Sequence, residues 1–199
     1  MIREDMDMNH DIDMNQDLDM NQSPKMKLVL PSLDYEQELM DYRQEFIDSN
    51  GVINGSGRLA NYESIPEWLA WVTSLTSPHT LPPDYVVCST YLYVREDDNK
   101  IIGMIQLRHY LSAFLEQYVG HAGYSIRPSE RRKNYGTRML HDALPILRSL
   151  GHSRVLITCD PWNVGSRQVI LKNGGIYEST VTEPDSGAEL ERYWIGLDD

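Results

Sequence analysis

The sequence predicts a mixed α/β domain of α+β character, with a mostly antiparallel central sheet of about six to seven strands flanked by helices. Three observations predict it. Two β-rich runs, Thr90 to Arg95 and Lys100 to Tyr110, flank the turn-forming Asp97-Asp98-Asn99 and read as a hairpin. A strand around His121 to Arg127 ends at Pro128 and gives way to a polar loop, then to an amphipathic stretch from Tyr135 to Leu150. Strand Arg154 to Asp160 is followed by a short helix, Val164 to Lys172, and by two strands near Ile176 to Thr182 and Leu190 to Ile195.

The first half supports the same class. Lys27 to Leu30 reads as a strand, and Ser32 caps a helix whose apolar positions are Tyr35, Leu39, Tyr42 and Phe46, stopped by Asn50-Gly51. A Gly- and Asn-rich loop leads to Ser64-Ile-Pro-Glu67, a capping box with Pro in the first turn. The following helix carries Trp68, Trp71, Val72 and Leu75, read as core or pocket wall. Pro145 lies inside the later helix, where it removes a backbone donor, so a kink or an earlier end is expected there.

The chain of 199 residues suits one folded domain, placed at 25–199. Before it, residues 5–22 read DMDMNHDIDMNQDLDMNQ, a near-repeat without aromatics. Such a segment has too little to bury to offset its ordering entropy, so 1–24 is expected to be a disordered acidic tail. Its D-x-D-x-N runs imitate the opening of a calcium loop. The sixth position, however, holds His10, Gln16 or Gln22 in place of Gly, and Gln16 and Gln22 stand where the ligating Glu would be.

A net charge of −12 argues against a nucleic-acid partner, because affinity for a polyphosphate comes from Lys and Arg displacing counterions. An acidic surface would instead attract a cationic partner. Apolar runs such as Ile101 to Ile105 are far shorter than the roughly 20 residues that span a bilayer. The N-terminus lacks a secretory pattern, so no membrane contact and a cytoplasmic location are expected. The two cysteines, Cys88 and Cys159, have no metal spacing; no metal site is expected.

The stretch with chemistry in it is Gly123 to Leu140: a strand, a basic loop with small residues, then a helix. Free N–H groups of a first helical turn and the helix dipole make an anion site at such a junction. Arg131, Arg132 and Lys133 bring three positive charges there, while Gly136 lets a ligand approach the backbone. A diphosphate-bearing cofactor fits these residues, and so does a solvated basic turn.

The same segment resembles the acyl-CoA signature Q/R-x-x-G-x-G/A of the GNAT superfamily, with Arg131 in first position and Gly136 in last. Asn134 replaces the first glycine, a residue that tolerates left-handed backbone but carries a side chain. A second block, Asp160-Pro-Trp-Asn163-Val-Gly-Ser166 followed by Lys172-Asn-Gly-Gly175, resembles the family's strand, Asn, short helix and Gly. The resemblance spans about 86–196. It implies acetyl-CoA as co-substrate, held between two splayed strands. The backbone near Ile126 would pair its pantetheine arm, residues 131–137 (Arg131, Arg132, Lys133, Asn134, Tyr135, Gly136, Thr137) its pyrophosphate, and Asn163 and Ser166 would line the arm.

The implied activity is transfer of an acetyl group to a primary amine of a small molecule or peptide by direct attack. The alternative is a catalytically silent acyl-CoA-binding regulatory module. Fold analogy adds pairing as a homodimer. Direct attack needs a group to take the amine's proton, and His121 and Glu116 are the candidates, with His109 behind them. Many members place a Tyr in the helix after the Asn to protonate the departing thiolate; here that position holds Ile170, which leaves Tyr177, Tyr193 or water. Acyl transfer through Cys159 would need a His beside it, and none is near in sequence.

Overall fold

The computed structural model describes residues 23–197, so the expectation for the acidic repeat at 5–22 lies outside the described residues. The elements follow in chain order: β1 (Met26–Val29), α1 (Glu36–Asp48), α2 (Ile65–Ser74), β2 (Cys88–Arg95), β3 (Lys100–Arg108), α3 (Ala113–Tyr118), β4 (Ala122–Ile126), α4 (Tyr135–Ser149), β5 (Arg154–Cys159), α5 (Val164–Lys172), β6 (Ile176–Thr182) and β7 (Glu189–Gly196). They form two antiparallel sheets, ordered β1-β2-β3-β4 and β5-β7-β6. The expected strands and helices are all present, within one to three residues at their ends.

Both faces of the first sheet are covered. On one side α1 presents Leu39, Tyr42 and Phe46, spaced for one helical face, and α2 presents Ile65, Trp68 and Val72. These pack on Leu92, Val94, Ile101 and Met104. On the other side Met139, Leu140, Ala143 and Leu147 of α4 pack on Tyr93, Ile102, Ile105 and Leu107, and the same cluster takes in Val155, Ile157, Tyr193 and Ile195 of the second sheet. Alternation along β2 and β3 thus feeds two cores, which is why these strands read as near-continuous apolar runs.

Local chemistry sets the ends. The Ser32 hydroxyl accepts from the Asp34 amide at 3.3 Å and starts a short 3-10 turn before α1, while Asn50 turns the chain at φ 50° after it. The Ser64 hydroxyl accepts from the Glu67 amide at 3.4 Å, the forward half of the expected capping box. The α1–α2 loop is pinned to its surroundings: the Trp68 indole donates to the Ser56 carbonyl at 2.8 Å, and the Ser125 hydroxyl to the Asn54 carbonyl at 2.7 Å.

Two local expectations need correction. Helix α4 runs through Pro145 to Ser149 rather than stopping early. Pro145 and His141, the residue whose carbonyl loses its partner, both face solvent, where water takes up the free acceptor. Between β3 and β4 the chain forms α3, which was not expected; the Ser112 hydroxyl caps it by accepting from the Leu115 amide at 3.4 Å.

Candidate active site

The two sheets touch where β4 begins. Gly120 bridges Ile157, the His121 amide donates to the Leu156 carbonyl at 2.7 Å, and the Leu156 amide donates to Nδ1 of His121 at 2.9 Å. Beyond this junction β4 has no strand partner but β3 among the described residues. The Arg108 amide donates to the His121 carbonyl and the Arg127 amide to the Ile102 carbonyl, each at 2.8 Å. Strand alternation therefore turns the His121 carbonyl and residues 123, 125 and 127 toward β3, and leaves the N–H and C=O groups of Ala122 and Tyr124 and the N–H of Ile126 on the free edge.

At the far end of β4 the chain makes a 3-10 turn, Pro128–Glu130, and then two left-handed residues, Arg132 at φ 62° and Asn134 at φ 63°. Asn134, which departs from the glycine of the pattern, is thus held in the conformation that favours glycine, and Asn occupies it at less cost than most residues with a side chain. It is the N-cap of α4, but its side chain makes no capping bond. None of the amides of 132–137 has an acceptor among the described residues. They form a run of open donors at the positive end of the helix dipole.

The three cations of the loop differ. Lys133 is committed to the buried carboxylate of Glu130 at 2.9 Å, which Lys100 at 3.3 Å and Arg95 at 3.4 Å also reach. Burial works against that charge, yet Lys133, Lys100 and Arg95 together hold the Glu130 carboxyl below its ordinary value. The Nε of Arg131 donates to the Ile126 carbonyl at 3.1 Å, and its guanidinium lies 5.4 Å from the Phe46 ring centre. Arg132 is exposed and has no hydrogen bond or ion pair among the described residues, so its charge is free for a ligand.

The neighbours of Gly136 and Tyr135 explain why they stand at the start of α4. A Cβ on Gly136 would stand 3.0 Å from Cγ2 of Val169 and 3.5 Å from Cγ1 of Ile126, so the glycine lets α4, α5 and the end of β4 converge. Tyr135 is buried and accepts from Arg95 at 3.3 Å, and the Thr137 carbonyl accepts from the Asn173 amide nitrogen at 3.1 Å. Across the gap, Asn163 caps α5 by accepting from the Ser166 amide at 3.0 Å, which leaves its own side-chain N–H₂ without a partner among the described residues. The Ser166 hydroxyl meets the Tyr124 hydroxyl at 2.9 Å.

Tyr124 is a candidate site residue that the sequence did not point to. Its ring reaches from β4 to the first turn of α5, and burial pushes its phenol up. The signal was strand alternation, which turns Tyr124 inward, where a phenol needs a hydrogen-bond partner. Ile170, in the position where the resemblance leads one to expect a Tyr, is fully buried in the core. Burial, aided by Glu191, pushes the Cys159 thiol up to about 11, so it is a neutral thiol at pH 7. Tyr193 donates to Glu191 at 2.7 Å and is raised to about 12 by burial and that carboxylate.

His121 and Glu116 lie at the other end of β4, on one depression of about 320 Å³ shared with Tyr110, His152, Arg154 and Trp194. Nδ1 of His121 is occupied by the Leu156 amide, so the neutral ring carries its proton on Nε2. Burial, and then the neighbouring His152 ring at 4.7 Å, push His121 down to about 4. At neutral pH it is a neutral hydrogen-bond donor. Glu116 is exposed, and its carboxylate has no partner among the described residues. His109 is lowered too, by burial and His152, and its Nε2 is engaged with the Ser89 hydroxyl at 2.9 Å.

The His121 shift makes stability depend on pH. A depressed His pKa means that the unfolded chain takes up a proton first as pH falls, so stability is full above the unfolded value of about 6.5 and declines toward about 4. Urea unfolding at about pH 7.5 and about pH 5 is expected to show a loss of up to about 2 kcal/mol from this group. His121→Phe should remove that part of the slope, and an unchanged slope would contradict the assignment.

A free strand edge that ends in open amides and an unpaired cation, beside a second sheet, defines an α/β domain able to hold an extended, phosphate-bearing ligand. The family described as acetyltransferase (GNAT) matches residues 62–174, and the chain belongs to that family. It is an acyl-CoA-dependent acetyltransferase. No curated protein matches the sequence. Among solved structures, the ribosomal-protein-S5-alanine acetyltransferase from Vibrio fischeri is 16% identical, with 87% of this chain and 94% of that one covered and a TM-score of 0.62. The microcin C7 self-immunity acetyltransferase, in complex with acetyl-CoA and AMP, is 15% identical, with 86% and 92% covered and a TM-score of 0.62. Mutant forms of the spermidine/spermine N-acetyltransferase from Vibrio cholerae are 12% identical, with 86% and 94% covered and a TM-score of 0.60. At these identities the likeness is one of fold.

Among the described residues no helix is long and apolar enough to cross a membrane, and no cluster of three or more His, Cys, Asp or Glu could hold a metal ion.

Proposed function

We propose that the chain moves the acetyl group of acetyl-CoA to a primary amine of a small molecule or peptide by direct attack, with residues 25–199 as the acting domain. The observation that carries this reading is the run of open amides at 132–137 beside the unpaired Arg132, at the end of a strand whose other edge is free. Acetyl-CoA supplies an activated acyl thioester. The amides of 132–137 with Arg131 and Arg132 suit its pyrophosphate. Ala122, Tyr124 and the amide of Ile126 can pair an extended pantetheine as an added strand; the Ser166 hydroxyl stands at Tyr124 beside that edge, and the Asn163 side-chain N–H₂ is unengaged among the described residues.

The acceptor must reach the thioester as a free amine, since an ammonium has no lone pair. Glu116 takes that proton, directly or through water, because its carboxylate is unengaged; His121 borders the same depression as a donor. Glu116→Gln is expected to lower kcat by about 100-fold with acetyl-CoA affinity unchanged. A rate within threefold or so of wild type would remove Glu116 from this role.

Calorimetric titration of acetyl-CoA into the protein, alongside an Arg132→Glu, Gly136→Asp double variant, tests the reading. Saturable binding that the variant loses supports it, and no binding to the wild type sinks it. The burial of Ile170 in place of a phenol favours one second reading, a silent acyl-CoA-binding module, whose mark is binding without turnover of any amine.

A further inference from the structure

Arg108, the last residue of β3, carries a half-buried guanidinium without a counter-ion among the described residues. Its Nη1 donates to the Gly120 carbonyl at 3.0 Å, and this is its one hydrogen bond among the described residues, where it has no carboxylate partner. Nε and Nη2 are not sealed from solvent, so the remaining donors open onto water. The position is defined by the sheet. Arg108 stands opposite Cys88 on β2, and its amide is bonded to the carbonyl of His121, so Arg108 and His121 share one face at the start of β4. Nη2 lies 3.9 Å from where a Cβ on Gly123 would stand, and the α1–α2 loop, at Gly55, closes over the same spot.

The fold thus sets a cation at the junction of the sheets, beside the His121 that borders the proposed acceptor depression. Holding a guanidinium there costs desolvation, and the strain is visible in the downward shift that burial imposes on Arg108. A guanidinium presents a rigid fork of donors that fits a carboxylate bidentately. Gly120 uses one prong.

We infer that Arg108 binds an anionic group of the acceptor, so that the substrate is an amine that also carries a carboxylate, such as a free amino acid or the C-terminal end of a small peptide. The inference rests on the acetyltransfer reading above and narrows it. It departs from the cationic acceptor expected from net charge. Residues 1–22 contribute a net −6 of the −12, and this field acts over a distance, whereas recognition is decided by the group in contact. A wholly cationic amine would meet Arg108 with like-charge repulsion; an amino acid offers Arg108 its carboxylate.

The test is a panel of the common amino acids and dipeptides as free acids, each paired with its C-terminal primary amide, with spermidine added. Thiol release from acetyl-CoA is followed for the wild type, Arg108→Met and Arg108→Lys. For at least one pair, the acid is expected to exceed its amide in kcat/KM by about 100-fold. Arg108→Met should lower kcat/KM for the acid far more than for its amide, chiefly through KM, so that the advantage is lost, and Arg108→Lys should keep most of it. A role confined to holding the Gly120 carbonyl would change acid and amide alike. Preference of the wild type for amides or spermidine, turnover of no acid, or an acid preference that survives in Arg108→Met would each overturn the inference. Acetyl-CoA titration of all three proteins separates the two failures. Binding without acid preference overturns the Arg108 assignment alone, and absence of binding to the wild type overturns both.

Discussion

Gly120→Ala is expected to destabilise the protein by about 2–5 kcal/mol. Gly120 sits at φ 77°, and a Cβ there would stand 2.4 Å from the Leu156 carbonyl oxygen, a backbone atom held in β5. It also donates to the Leu115 carbonyl at 2.7 Å and accepts from Arg108, so it joins α3, β3 and β5 at one point. Two costs add: left-handed backbone for a residue with a side chain, and displacement of one sheet from the other. Gly151→Ala separates them, because Gly151 has φ 92° with nothing within 4 Å of the added carbon. It should lose only the backbone part, on the order of 1 kcal/mol. Urea unfolding of both variants measures the difference, and equal losses would show that the sheets are not in rigid contact at Gly120.

The second large effect concerns the loop before α4. Arg132→Glu combined with Gly136→Asp is expected to weaken acetyl-CoA binding by more than about 1,000-fold. One charge-assisted contact contributes about 1.5–3 kcal/mol, and here a contact is reversed and a carboxylate is added at the first turn of the helix. The structure ranks the cations within this motif. Arg132 is free, whereas Lys133 already serves Glu130, so Lys133→Met should cost less than about tenfold. Equal losses from Arg132→Met and Lys133→Met in calorimetric titration would show that the ligand draws Lys133 away from Glu130. Gly136→Asp alone also crowds Val169, so its unfolding midpoint must be measured beside its affinity.

The secondary elements were legible because their signals are local. The hairpin at Asp97-Asp98-Asn99, the cap at Ser64, the stop at Asn50 and the basic loop before Tyr135 each depend on residues within one turn of one another. Helix α3 escaped because six residues give too short a period to read, although Ser112 was there to cap it. The loop and helix start proposed for the cofactor were legible for the same reason: Arg131 to Gly136 is one contiguous segment, and the left-handed geometry of Asn134 follows from its place in the pattern.

On the acceptor side the sequence offered His121 and Glu116 as candidates but not their surroundings, because those groups come together only through strand pairing. No spacing in the sequence announces that Arg108 and His121 share a face, that Tyr124 reaches Ser166, or that Nδ1 of His121 is taken by an amide 35 residues away. The sequence by itself determined the order of elements and the open helix start, since these follow from periodicity, capping and backbone chemistry within short windows. The tertiary structure decided which charges are spent and which are free. Lys133 was claimed by Glu130, whose carboxylate Lys100 and Arg95 also reach from another part of the chain, and Arg108 was left without a carboxylate. That outcome depends on distances between residues far apart in sequence, and so does the cost of burying each charge.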